Sequence, residues 1–94
     1  MNLEDILSNA VPFSVTWNTT AGGGLTIPTT KMAKAIIGSL SNNVNSYAMD
    51  DGKFYYNGNY DVNRPFVFSN NSVKCAVQIS TTALEYRGFI IYED

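Results

Sequence analysis

Apolar and polar residues alternate along residues 11–17 of this chain, which is its clearest strand signal. The polar side of this strand is typical of an antiparallel sheet whose second face is either wet or in contact with a partner. A strand is also predicted from Leu84 to Tyr92, and Gly88 is a candidate position for a bulge within it. The apolar positions of the first strand are Val11, Phe13, Val15 and Trp17.

Turn signals divide the middle of the chain into hairpins. Asp51-Gly52, taken as a two-residue loop, sets the register of the first hairpin. Asn57-Gly58 is a second turn signal and leaves Tyr55 and Tyr60 near each other on one face. The pairs predicted across Asp51-Gly52 are Asp50 with Lys53, Met49 with Phe54, and Tyr47 with Tyr56.

Asn70-Asn71 predicts a third hairpin, in which Phe68 pairs with Val73 and Phe66 with Cys75. Cys75 is then expected to be a small core hydrophobe rather than a reactive thiol. One face of this hairpin collects Phe66, Phe68, Val73, Cys75, Val77 and Ile79. The expected shared core is Trp17, Ile36, Phe54 and Phe68.

Two segments repeat apolar residues at helical spacing. The first is capped by Asn2 and ended by Pro12. The second lies at the end of Thr16–Ile37, after a Gly/Thr-rich loop, with Thr26 or Thr29 as its N-cap. The apolar faces of these predicted helices are Leu3, Ile6, Leu7 and Ala10 in the first, and Met32, Ala33, Ile36, Ile37 and Leu40 in the second.

These elements predict an α+β fold, with an antiparallel sheet of about five or six strands. The short N-terminal helix and the helix after the Gly-rich loop would pack on that sheet. The chain has 94 residues and no linker-like stretch, so residues 1–94 are expected to form a single small globular domain.

Charge and residue usage exclude several classes of function. Six basic and eight acidic residues give a net charge of −2, which disfavours nucleic acid or an acidic membrane as partner. There is no histidine and one cysteine, so we expect no metal site, and no carboxylates are spaced for acid–base catalysis. We therefore expect neither an enzyme nor a cofactor. No apolar run approaches a membrane span and no signal peptide is evident, so a cytoplasmic location is expected.

A loop of three glycines before the second predicted helix is a candidate anion-binding site. Glycine N–H groups, two hydroxyls and a lysine would surround a helix N-terminus there, although no P-loop or dinucleotide motif is present. A plain connector and a protein-contact loop are the alternatives. The residues of this candidate site are Gly22, Gly23, Gly24, Thr29, Thr30 and Lys31.

A second candidate site is the sheet face that the helices would leave uncovered. The last strand adds Phe89 and Ile91 to it, or Ile90 and Tyr92 if Gly88 makes a bulge. An apolar patch of this kind on a small chain predicts a symmetric homo-oligomer, unless the N-terminal helix or the 18–28 loop covers it. The candidate interface residues are Tyr55, Tyr60, Arg64, Val67, Phe89 and Ile91.

Two hypotheses about function follow. The first is a non-enzymatic binding or assembly protein that acts through protein–protein contacts as a homo-oligomer. Asn, Ser, Thr, Gly and Tyr dominate the polar residues of the chain and only 15% of its residues are charged, a composition that resembles bacteriophage virion and accessory proteins. This favours a phage-encoded virion component or an inhibitor of a host factor, found in the virion or the host cytoplasm. The second is a protein that sequesters a nucleotide or another small anionic ligand at the Gly-rich loop.

Overall fold

A computed structural model describes residues 9–18 and 23–92, and within them the chain forms nine β-strands and no helix. The α+β prediction is therefore wrong, since the strands make two antiparallel sheets. The strands are β1 Ala10–Trp17, β2 Leu25–Pro28, β3 Ala35–Leu40, β4 Asn45–Met49, β5 Phe54–Tyr56, β6 Asn59–Tyr60, β7 Val67–Phe68, β8 Ser72–Cys75 and β9 Leu84–Ile91.

The larger sheet has six strands in the order β1-β9-β3-β4-β5-β6, and the smaller has the order β2-β8-β7. The last strand of the chain thus lies between the first strand and β3. The inner faces of the two sheets carry the core, as in a β-sandwich. Each sheet has an outer face that turns away from the core.

The segment predicted as the second helix contains strand β3. Ile36 and Leu40 are four residues apart, a spacing that puts both on one face of a helix and also on one face of a strand. In a strand the residue between them on that face is Gly38, which has no side chain that would reveal the strand period. Adjacent β-branched Ile36 and Ile37 favour the strand, and a glycine costs a helix about 1 kcal/mol relative to alanine. The first predicted helix falls on residues 1–8, outside the described residues, whereas Ala10 already belongs to β1.

Aromatic rings fill the centre of the core around Trp17, which is completely buried. Phe54 and Phe66 stack on each other at 4.8 Å, and both meet the indole edge-on. The Trp17 indole N–H donates to the Val77 carbonyl oxygen at 2.8 Å, which satisfies its polar group. Of the four residues expected in the core, Trp17, Ile36 and Phe54 are fully buried and Phe68 is partly buried against them.

The first hairpin has a register one residue different from the predicted one. Its loop has three residues, closed by a hydrogen bond from the Met49 N–H to the Lys53 carbonyl, and Gly52 adopts a φ of +89°. Tyr47 therefore pairs with Tyr55, and Ala48 pairs with Phe54. Since a shift of one residue moves side chains to the other face, Tyr47 lies on the outer face instead of sharing a face with Phe54.

The other two turn predictions are confirmed. Asn57 and Gly58 both have positive φ, and Tyr55 pairs directly with Tyr60 across the turn. Phe68 pairs with Val73 around Asn70-Asn71, and Cys75 is buried as expected. That hairpin ends sooner than predicted, because β7 contains only Val67 and Phe68, and Val77 is exposed.

Strand β9 runs through Gly88 without a bulge. Its register with β1 and with β3 is continuous from one end to the other, and Gly88 pairs with Gly38. A Cβ on Gly88 would collide with the Ile37 carbonyl oxygen, so this glycine is required for the close approach of two strands. The regular strand places Phe89 on the outer face and buries Ile90 in the core.

Candidate functional site

A line of directly paired residues crosses the outer face of all six strands of the larger sheet. Each member is paired with the next on the neighbouring strand, so the line runs perpendicular to the strands. None of its members carries a charge. This line, called here the outer row, consists of Pro12, Phe89, Ile37, Tyr47, Tyr55 and Tyr60.

The outer row is largely open to solvent. Phe89, Ile37 and Tyr60 are each about half exposed, at 51%, 52% and 52%, and Tyr47 is 38% exposed. Single exposed apolar side chains are ordinary, but a contiguous apolar patch on a monomer commonly marks a site of interaction. The outer row is contiguous across the width of the sheet.

The tyrosines of the outer row stand upright on the sheet. Tyr47 and Tyr55 are stacked with their ring centroids 4.6 Å apart and an interplanar angle of 15°. That separation matches the spacing of neighbouring strands, so the rings are side by side, each with a face toward the other. Tyr60 lies 5.6 Å beyond Tyr55, and the Lys53 ammonium is 5.9 Å from the Tyr60 ring. The row therefore offers ring edges and hydroxyls to a partner.

A groove of about 660 Å³ runs beside the outer row, open to solvent. One wall includes Phe89, Ile37 and Tyr47 of the row, and the other is polar. The floor between the two walls contains Gly88 and Gly38, which pair directly with each other on β9 and β3. The polar wall consists of Arg87, Ser39 and Asn45, which are also paired with one another across the strands.

The structure brings together four of the six residues predicted to form an interface. Tyr55, Tyr60 and Phe89 belong to the outer row, and Ile91 lies two residues along β9 on the same face. Val67, 65% exposed, is on the outer face of the three-stranded sheet, where it pairs with Lys74. Arg64 is committed to internal contacts and lies on neither sheet face.

Those contacts of Arg64 hold a loop in place. One guanidinium nitrogen is 2.6 Å from the Asp61 carboxylate, and Nε donates to the Gln78 carbonyl oxygen at 2.8 Å. The ion pair is partly buried, and the hydrogen bond to Gln78 ties the segment after β6 to the segment after β8. Arg64 thus stabilises the fold and is not available to a partner in this conformation.

Three members of the outer row were not predicted as site residues: Pro12, Ile37 and Tyr47. The sequence pattern predicts Ile37 on a helix, whereas it lies on β3. The predicted hairpin register puts Tyr47 on the same face as Phe54, whereas Tyr47 pairs with Tyr55 on the outer face. The position of Tyr47 could have been predicted by giving the first hairpin a three-residue loop that ends at Gly52, since a three-residue loop with glycine last is a common hairpin connection. Pro12 was interpreted as a helix stop, although proline is also usual on edge strands.

The residues predicted to bind an anion are not gathered at one point. Gly22 lies outside the described residues, and Gly23 and Gly24 precede β2 at the end where it meets Cys75. Thr29 follows the other end of β2, so roughly 16 Å of extended chain separates it from Gly24. A Cβ on Gly24 would collide with the Cys75 carbonyl oxygen, which explains this glycine by strand packing.

Thr29, Thr30 and Lys31 contact Tyr92 and the neighbouring turn instead. The Thr30 N–H donates to the Tyr92 hydroxyl at 3.1 Å, and the Lys31 ammonium lies 5.5 Å from the Tyr92 ring. The Thr29 N–H donates to the Asn71 carbonyl at 2.9 Å. No helix N-terminus exists in this part of the structure, so the physical basis of the anion hypothesis is absent from the described residues.

The titratable groups near these surfaces offer little chemistry. Burial raises the pKa of the Cys75 thiol, which keeps it protonated and unreactive. Burial also raises the pKa of the Tyr86 hydroxyl well above its usual value. Within residues 9–18 and 23–92, no group of three or more acidic or cysteine side chains is arranged to hold a metal ion.

Comparisons with protein-family models, with curated proteins and with solved structures find no match to this chain. The phage origin expected from composition therefore has no further support. The described part of the chain contains no helix that is long and apolar enough to cross a membrane.

Proposed function

We propose that this chain is a non-enzymatic binding protein that assembles with itself through the outer face of its six-stranded sheet. The observation that carries the proposal is the outer row, an uncharged line that crosses all six strands and is largely exposed. Tyrosine and phenylalanine are enriched in the cores of protein interfaces, where they supply area at a low cost in side-chain entropy.

The ring geometry favours a protein over a planar ligand. A sugar or a nucleobase stacks on an open ring face, whereas Tyr47 and Tyr55 turn faces toward each other. Upright rings with hydroxyls at their tips suit a protein surface, which can pack against the edges and hydrogen-bond to the oxygens. The net charge of −2 also fits poorly with nucleic acid.

The proposal is tested by measuring the molar mass of two variants by light scattering, each with a single charge substituted on the outer face of one of the two sheets. We expect the wild-type chain at micromolar concentration to have a mass that is a multiple of 10.3 kDa. Phe89→Asp should reduce it to that of a single chain, because an unpaired carboxylate buried in an apolar contact is strongly unfavourable. Thermal melting of the variant should remain cooperative, which shows that the chain still folds, since the substituted side chain is half exposed.

Val67→Asp is the matched control. It makes the same kind of change at a valine of similar exposure on the outer face of the other sheet, and it should leave the mass unchanged. Val67 was one of the interface residues predicted from sequence, and it belongs to the three-stranded sheet rather than to the outer row. A wild-type mass of one chain, or dissociation by Val67→Asp and not by Phe89→Asp, would refute the proposal.

A further inference from the structure

The outer row has two chemically different halves of equal length. Three residues on β1, β9 and β3 are proline, phenylalanine and isoleucine, and three residues on β4, β5 and β6 are all tyrosine. The boundary falls between β3 and β4, at the centre of the six-stranded sheet. A surface with two complementary halves is what an isologous dimer requires, because each contact then occurs twice.

We infer that a second copy of this chain is the partner, and that it docks face to face about a two-fold axis running parallel to the strands between β3 and β4. This inference rests on the proposed function. The axis lays each half of the outer row over the other half of the second copy. The resulting contacts are Ile37 on the partner's Tyr47, Phe89 on the partner's Tyr55, and Pro12 on the partner's Tyr60.

The groove lies beside the half of the outer row on which the partner's tyrosines would dock. It extends over β1, β9, β3 and β4, beside the half of the row that carries Phe89 and Ile37. The partner's tyrosine rings would lie across those two side chains. Their hydroxyls would then reach the polar wall of the groove, where Ser39 and Arg87 can hydrogen-bond to them. A tyrosine hydroxyl buried against isoleucine and phenylalanine without such a wall would lose its hydrogen bonds to water.

The polar residues beside the row are also matched by this axis. Ser39 on β3 and Asn45 on β4 are paired neighbours on either side of the axis, so each would face the other residue of the second copy. The alternative two-fold axis, along the row, would instead place this polar line over the opposite side of the face. On β1, β9 and β3 that side carries Ala10, Ile91 and Ala35, which offer no side-chain hydrogen-bonding groups.

The area of the face is sufficient for a stable dimer. The six strands contain 32 residues, and at about 3.4 Å along and 4.8 Å across the strands for each residue they give a flat area of roughly 500 Å². Side-chain relief raises the accessible area toward the approximately 800 Å² that each partner buries in an interface of standard size. Two sheets packed in this way lie about 10 Å apart with their strands roughly aligned, as in β-sandwich cores.

Complementation between charged variants tests which residues face each other. Ile37→Asp and Tyr47→Lys should each be a single chain of 10.3 kDa, because each would bury two unpaired charges in a homodimer. Mixed in equal amounts, they should form a heterodimer of twice that mass. In it, the new aspartate faces the new lysine, and the second contact keeps its original isoleucine and tyrosine.

Two further mixtures make the result specific. Ile37→Lys with Tyr47→Asp reverses the charges and should also restore the dimer, which provides an independent pair if one variant fails to fold. Phe89→Asp with Phe89→Lys carries the same opposite charges and should remain monomeric, because the two copies of residue 89 lie three strand spacings, about 14 Å, apart in this arrangement. Thermal melting of each variant alone checks that it is folded.

Each outcome bears on the inference. Dimers in the first two mixtures and not in the third support it. Rescue only in the third mixture would establish the axis along the row and overturn the arrangement, while the proposed function would stand. Single variants that dissociate a wild-type oligomer without rescue in any mixture would also overturn it. A wild-type chain that is monomeric would overturn the dimer and the proposed self-assembly together.

Discussion

At the scale of single residues, Tyr86 shows how the inner side of the six-stranded sheet is held together. Its ring is fully buried, meets Phe13 edge-on, and crosses Gly38 so closely that a Cβ there would come within 2.8 Å of it. Its hydroxyl donates to the Ser46 carbonyl oxygen on β4 at 2.9 Å. One side chain on β9 therefore links β1, β3 and β4, the strands beneath the groove.

The burial of Tyr86 predicts a loss of stability in alkali. Its pKa is raised in the folded state, so its contribution is complete below the unfolded pKa of about 10 and is lost as pH rises toward the folded value. The slope from this group approaches about 1.4 kcal/mol per pH unit. Urea unfolding followed from about pH 8 to about pH 12 measures it.

Tyr86→Phe isolates this effect. The variant loses one hydrogen bond, about 1 kcal/mol near neutral pH, but it lacks the titrating hydroxyl. The difference in unfolding free energy between wild type and variant should therefore shrink as pH rises above about 10. Parallel curves for the two proteins would show that this hydroxyl does not resist ionisation in the folded state.

At the scale of elements, local patterns predicted the strands that alternate and the turns that need special backbone angles. Alternation was sufficient for β1, and Asn57-Gly58 was sufficient for its turn. Strand β3 was missed because Ile36 and Leu40 fit both periods when the residue between them is glycine. The spacing of apolar residues cannot distinguish a helix from a strand there, and pairing with β4 and β9 determines that the segment is a strand.

The candidate site could be predicted only in part, for a related reason. Tyr55 and Tyr60 are joined by a short turn, so their proximity could be predicted from sequence. The line from Pro12 through Phe89 to Ile37 joins strands far apart in the chain, in an order that no local signal encodes. The sheet order β1-β9-β3 comes from long-range packing, and the outer row exists only as its consequence.

Strand β1 is an edge of the sheet, and Pro12 protects that edge. The Tyr92 N–H donates to the Asn9 carbonyl at 2.9 Å. Hydrogen-bonded pairs recur at every second residue of an antiparallel ladder, so the odd-numbered residues of β1 hydrogen-bond to β9. Even-numbered residues of β1 then direct their backbone groups away from β9, where no other described strand pairs with them. Pro12 is one of these and has no N–H to offer, a common way of blocking edge pairing.

Pro12→Val should open this edge to pairing with other chains. The substitution restores an outward N–H, keeps the position apolar, and favours the strand. We expect faster formation of large, thioflavin-positive species on incubation, measured against wild type. Ser14→Val, on the same edge but at a residue that already has its N–H, is the matched control and should aggregate more slowly than Pro12→Val. Equal rates for the two variants would show that Pro12 does not protect the edge.

At the scale of the whole molecule, the two sheets are unequal. The three-stranded sheet covers the inner face of the six-stranded sheet and completes the core, and among the described residues the outer row of the larger sheet is largely exposed. The molecule measures 38 × 26 × 22 Å, so this face makes up a large part of its surface. A small chain that exposes a broad apolar face of this kind gains stability by covering it with a second copy.

Hydroxyl-radical footprinting over a dilution series measures directly which face is covered. Each residue's rate of oxidation is compared between concentrated and dilute protein, so that its intrinsic reactivity cancels. Phe89 and Tyr60 on the outer row should be protected when the protein is concentrated and become reactive on dilution. Val67 and Val62, which are at least as exposed, should react equally at all concentrations. Protection of Val67, or rates at Phe89 and Tyr60 that do not change with concentration, would contradict assembly through the outer face of the six-stranded sheet.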